Sequence, residues 1–267
     1  MNTLKPIVQL PIFLFAAAVF LGAFLLFQVQ PLIGRFLVPW FGGTPEVWTT
    51  CMLFFQLFLL AGYAYAHWLS RLKPRFQAAI HLFLLLASAA AALRIVPSPA
   101  LRPTPDNSPI LQILWICTLS VGLPYFLLSA TGPLLQAWIS RLNQGFVPYR
   151  LYALSNAGSL LALISYPFLF EPTLTRSHQA LFWSGAFLLF ALLCGLCAIR
   201  LLRKADPELV PVKPDPQRPD HPQAPTLNTR LLWLGLPMAA SIELLAVTNK
   251  ITQDLSLIHI SEPTRPY

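Results

Sequence analysis

Residues 6–34 read PIVQLPIFLFAAAVFLGAFLLFQVQPLIG, and not one of them carries an ionisable side chain. A helix rises about 1.5 Å per residue, so about 20 apolar residues cross the roughly 30 Å hydrocarbon layer of a bilayer. The run exceeds that length, and its most apolar part, 7–27, predicts a first membrane-spanning helix. A cleaved signal peptide would be shorter and would be followed by a water-soluble domain; here more apolar runs follow.

Working outward, charge-poor stretches at 47–69, 78–95, 110–130, 151–170, 180–202 and 230–248 predict six further spans. Charged residues make up 10% of the 267 positions and apolar residues 56%, too few charges to coat a surface facing water. The expected fold is therefore all-α, a polytopic membrane helix bundle of about seven transmembrane helices. Its formal net charge of +8 does not point to nucleic acid, because the Lys and Arg residues are spread between apolar blocks instead of forming one patch.

Those basic residues predict a topology. With the N-terminus in the cytoplasm, the inner segments hold Lys5, Arg71, Lys73, Arg75, Arg141, Arg150, Arg200, Arg203, Lys204, Lys213, Arg218 and Arg230, and the outer ones only Arg35, Arg94, Arg102 and Arg176. Lys and Arg accumulate on the cytoplasmic side, so a cytoplasmic N-terminus and a multi-pass location in the cell's inner (plasma) membrane are expected. Trp40, Trp48, Trp68, Trp138 and Trp183 fall near predicted span ends, where amphipathic rings settle. Between Asp206 and Pro225 lie seven prolines and charges of both signs, which predicts an extended, disordered inner linker. The expected organisation is a six-helix bundle over 1–204, the linker over 205–229 and a seventh helix over 230–254.

Particular residues then become recognisable. Gln28-Val-Gln-Pro-Leu-Ile-Gly-Arg35, Pro39-Trp-Phe-Gly-Gly-Thr-Pro-Glu-Val-Trp48, Ala61-Gly-Tyr-Ala-Tyr-Ala-His67, Ser129-Ala-Thr-Gly-Pro-Leu-Leu-Gln136, Pro148-Tyr-Arg-Leu-Tyr-Ala-Leu-Ser-Asn156 and Ser241-Ile-Glu-Leu-Leu-Ala-Val-Thr-Asn-Lys-Ile-Thr-Gln-Asp254 together resemble the membrane half of the spermidine synthase-like membrane proteins. That family joins a major-facilitator-like region to a polyamine aminopropyltransferase domain. The resemblance implies further spans and a Rossmann-like catalytic domain after Asp254. Instead the chain ends with LSLIHISEPTRPY over 255–267, which resembles a translated sequencing adapter and is expected to be an artefact following truncation at about Asp254.

No catalytic machinery is expected in this chain. It holds no phosphate-binding loop, no metal-spaced His/Cys set and no nucleophile–base pair at a recognisable elbow, so no cofactor and no metal are expected. Cys194 and Cys197 form a CxxC, but inside an apolar run they read as small helix residues. Ionisable and polar groups at membrane depth are the candidates for function, because each is costly there. Glu243, about thirteen residues into the seventh span, could bind a cation or proton, or pair with Lys250 two turns on. Asn156 and Gln56 are further candidates for a cavity or ion-binding site. Asn156 has Ser155, Gly158, Ser159 and Ala162 beside it, a small-residue face that lets another helix approach. Arg35 and Glu46 bracket the segment 39–45, which is expected to form a hairpin or partly re-entrant loop at the outer face, closed by an Arg35–Glu46 salt bridge or acting as an outer gate. Gln28, Gln30, Gln112 and His67 need partners because lipid offers none.

Two functions from different classes fit. One is a transporter-like domain in the lipid bilayer handling polyamines or related small cations. The other is a non-transporting anchor or regulatory scaffold for a C-terminal aminopropyltransferase-like enzyme.

Overall fold

In a computed structural model of the chain, residues 6–103, 108–142, 149–204 and 226–261 are described. Among them every regular element is helical. The elements are α1 (Pro6–Phe41), α2 (Pro45–Ser70), α3 (Pro74–Ala92), a short 3₁₀ turn (Pro99–Leu101), α4 (Pro109–Cys117), α5 (Leu123–Leu142), α6 (Tyr149–Ser165), α7 (Glu171–Thr173), α8 (Arg176–Lys204) and α9 (Leu227–Ser261). π-helical turns at Thr118–Gly122 and Tyr166–Phe170 join α4 to α5 and α6 to α7, giving continuous apolar spans over Pro109–Leu142 and Tyr149–Thr173. Each π turn lies at a proline, Pro124 just after the first and Pro167 inside the second. A proline has no N–H to give and its ring crowds the carbonyl one turn back, a clash that a wider turn relieves.

Among the described residues seven helices are long and apolar enough to cross a membrane, so the expected polytopic helix bundle is what forms. The boundaries differ instructively. The first span runs over Ile12–Phe41, well past the expected end at residue 27. The segment 28–41 is helix rather than loop, because its polar side chains turn inward against neighbouring helices while Leu32, Ile33 and Leu37 are fully buried. The expected loop over 39–45 shrinks to Gly42, Gly43 and Thr44. Gly42 takes φ +83°, a conformation open to glycine without steric cost, and its N–H donates to the Val38 carbonyl at 2.8 Å to cap α1. Pro45 then starts α2, as the absence of an N–H suits the first helical position.

The chain divides into two units, Met1–Pro207 and Glu208–Tyr267. In the first, α1 packs along α6 and α8, and α2 along α5. Trp138, Trp183, Tyr125, Phe15, Phe54, Phe187 and Phe190 are buried to within 2% of full enclosure. Outside, Phe83, Leu86, Phe168 and Leu181 are each more than 70% exposed, a surface suited to hydrocarbon and not to water. The second unit contains α9, which runs beyond residue 254 to Ser261 with no proline or glycine in 255–261 to stop it. The expected linker over 205–229 lies outside the described residues as far as residue 225.

Two glutamines close the bundle at opposite ends by the same device. Gln77, the fourth residue of α3, donates Nε2 to the carbonyls of Ser70 (3.1 Å) and Leu72 (2.7 Å) at the end of α2, and its Oε1 accepts from Trp138 Nε1 at 2.9 Å. Gln179, the fourth residue of α8, donates Nε2 to the carbonyls of Phe170 and Leu174 (2.9 Å each) at the end of the preceding span, and its Oε1 accepts from the Tyr166 hydroxyl at 3.1 Å. The last carbonyls of a helix have no partner within it, and lipid supplies none, so a buried amide answers both needs. Where backbones approach most closely the sequence has glycine. A Cβ on Gly158 would lie 2.6 Å from the Phe20 carbonyl oxygen of α1, and one on Gly62 would lie 2.8 Å from the Phe126 carbonyl oxygen of α5. Replacing Gln179 by Leu should therefore cost about 1–2 kcal/mol, and Gly158→Leu at least as much, both read as lost resistance to unfolding of the detergent-solubilised protein.

Candidate functional site

Four spans each bring residues at helical spacing, many of them polar or small, to one face. On α2 these are Gln56, Leu59 and Tyr63; on α5, Tyr125, Ser129, Gly132 and Gln136; on α6, Tyr152, Ser155 and Ser159; on α1, Val19, Ala23, Leu26 and Gln30. Steps of three and four residues keep a side chain on one face, and the four faces converge on a cavity of about 630 Å³. That volume suits a small organic molecule.

The wall is polar but uncharged: no Asp, Glu, Lys, Arg or His lines it among the described residues. Part of its polarity is already committed to structure. Gln30 Nε2 donates to the Tyr125 hydroxyl at 3.3 Å, bracing α1 on α5. Ser129 Oγ donates to the carbonyls of Phe126 (2.8 Å) and Phe58 (3.3 Å) beside Gly62, bracing α5 on α2. Thr131 and Ser159 hydroxyls return to the carbonyls one turn back on their own helices. The side chains of Gln56, Gln136, Tyr63 and Tyr152 make no hydrogen bond to a described residue, so two amides and two phenols stay available to a ligand. Pro133 adds an acceptor, since it has no N–H to give the Ser129 carbonyl.

The residues singled out from sequence are placed differently from one another. Gln56 lies in the cavity wall. Asn156 does not: it is exposed on α6, while Gly158 and Ala162 of the small-residue stripe are buried. Glu243 is exposed on α9, in the other unit. Gln28 is buried, yet its Oε1 has no hydrogen-bond partner among the described residues, where the sequence led us to expect one for each membrane-depth polar group. His67 is at the surface, its Nε2 2.7 Å from Arg71 Nη2. Cys194 and Cys197 are buried thiols of α8, with Cys194 Sγ 3.6 Å from Nε2 of buried His81. No group of three or more His, Cys, Asp or Glu among the described residues could hold a metal ion.

The expected Arg35–Glu46 salt bridge does not form. Because α1 stays helical through residue 41, Arg35 lies on its flank and points to the end of the fifth span. There Arg35 Nε is 3.7 Å from Glu171 Oε1, and Arg35 Nη1 donates to the Glu171 carbonyl at 3.5 Å. Arg176 Nη1 donates to the Arg35 carbonyl at 3.3 Å, completing a latch beside Gln179. Glu46 is left on the rim of a second groove.

Tyr63, Tyr125, Gln136 and Tyr152 are not among the candidates that stand out in the sequence. The signal that would have found them is the recurrence of hydroxyls and amides at three- and four-residue steps within apolar runs. No family model, curated protein or solved structure matches the chain.

The pair Arg35 and Glu171 is partly exposed, at 31% and 48% of each side chain, so its worth is small. A double-mutant cycle of Arg35→Gln with Glu171→Gln should give a coupling of about 0.5 kcal/mol, and the cycle of Arg35→Gln with Glu46→Gln should give none.

Proposed function

We propose that this chain is a transporter-like membrane domain that binds a small amine-bearing solute, a polyamine or related cation, in the cavity between α1, α2, α5 and α6. We further propose that it is the membrane half of a spermidine synthase-like protein, its N-terminus in the cytoplasm and its aminopropyltransferase-like partner domain outside this chain. The reading rests on one observation above all: a cavity between the spans lined by Gln56, Tyr63, Gln136 and Tyr152, whose side chains form no hydrogen bond with a described residue. A polar hollow within lipid carries a cost in stability, and function is the ordinary reason for it. Amide carbonyls accept from ammonium groups, and tyrosine faces attract cations, so amines can be held without a formal counter-charge.

The absence of any carboxylate from this wall favours a different reading, in which the helices only anchor or regulate an enzyme at the inner leaflet. A doubly or triply charged amine would bind weakly to a wall with no negative group. The two readings separate on binding itself.

Gly132 offers a clean test, since a Cβ added there meets no atom within 4 Å and projects into open space. The chain reconstituted in nanodiscs should bind radiolabelled putrescine saturably, Gly132→Leu should weaken binding at least tenfold without loss of stability, and paired Gln56→Leu and Gln136→Leu should do the same. No saturable binding above empty nanodiscs would leave the anchor reading.

A further inference from the structure

A second groove, of about 530 Å³, opens between the end of α1 and the starts of α2 and α4. Trp40 and Phe41 of α1, Glu46 and Thr50 of α2 and Ile113 of α4 are among the residues that line it. No Lys or Arg lines it among the described residues. Arg35, the cation nearest to Glu46 in the sequence, is turned away to Glu171. Glu46 is exposed and forms no ion pair with a described residue.

We propose that this groove is an external binding site for an organic ammonium cation, with Glu46 as counter-charge and the faces of Trp40 and Phe41 as its walls. A carboxylate in the first turn of α2 also favours the helix dipole, which accounts for the charge but not for the indole and phenyl rings that line the groove with it. A single carboxylate is too small a ligand set for Ca²⁺ or Mg²⁺, which take six or more oxygens. An alkylammonium needs less: one negative group, and an aromatic surface that attracts its diffuse charge while covering its methylenes. The groove lies at the end of the bundle where α1 terminates, beside the short connection Gly42–Thr44. A cation captured there would be concentrated at one mouth of the bundle, where the uncharged cavity has no attraction of its own at long range.

The proposal deepens the amine-binding reading and rests on it for the ligand's onward path, but it has a separate readout. The probe is choline, with its neutral isostere 3,3-dimethylbutan-1-ol as control, added to nanodisc-reconstituted chain carrying 5-fluorotryptophan. The ¹⁹F resonance of Trp40, identified by its loss in Trp40→Phe, should shift saturably with choline. The neutral isostere should shift it at least tenfold more weakly, and Glu46→Gln should weaken choline at least tenfold. Gly132→Leu, which fills the other cavity, should leave the Trp40 titration unchanged. Equal binding of choline and the isostere to the wild-type chain, an unaltered constant in Glu46→Gln, or no shift of the Trp40 resonance would each overturn the site. Because the isostere comparison uses the unmutated chain, it decides the matter even if Glu46→Gln folds poorly. Loss of putrescine binding in the central cavity with an intact Trp40 response would sink the amine reading of that cavity alone.

Discussion

Hydrocarbon offers a polar group nothing to bond with, and the arrangement of this bundle follows from that scarcity. Gln77 and Gln179 show it most plainly. Each caps two carbonyls at the end of one span with Nε2 and accepts a hydrogen bond from an aromatic side chain with Oε1. Each is the fourth residue of its helix, and the two stand at opposite ends of the bundle, one where α2 turns into α3 and the other where the fifth span turns into α8. Ends fixed in this way hold the spans in register without a network of buried charges. Trp183 Nε1 on the Leu25 carbonyl and Ser184 Oγ on the Ala92 carbonyl extend the same economy along α8.

The constraint also explains the interior. Helices that cannot be driven together by water pack through close backbone contact and a few interhelical hydrogen bonds. Gly158 brings α6 onto α1, and Gly62 brings α2 onto α5 where Ser129 bonds across. These two tight crossings join the four helices that line the central cavity. Gln56, Tyr63, Gln136 and Tyr152 line that hollow, where they can meet water or a solute instead of lipid.

Much of this was legible in the sequence, and the misses share a cause. The spans were legible because uninterrupted apolar length has a single physical meaning in a bilayer. The helix continues past the apolar core at 7–27 because the polar side chains that follow find partners across the bundle: as α1 turns, Gln30 meets Tyr125 and Arg35 meets Glu171. The Arg35–Glu46 pairing failed for the same reason, since nearness along the chain is not nearness across a helix bundle. Asn156 and Glu243 are conspicuous singly, whereas the cavity wall is a repeating pattern of steps along four helices. Tyrosine counts as apolar in composition, so the Tyr63, Tyr125 and Tyr152 faces were hidden among residues of true hydrocarbon.

The central claim is that water reaches the uncharged cavity between α1, α2, α5 and α6, which is open on one side, while the outer surface of the bundle faces lipid. Nitroxide labels at Gln56→Cys and Ser159→Cys, compared with labels at Phe83→Cys and Leu181→Cys in bilayers, test it directly. The first pair should collide with a water-soluble nickel chelate more than with oxygen, and the second pair should show the reverse. Lipid-like accessibility at all four positions would contradict the account.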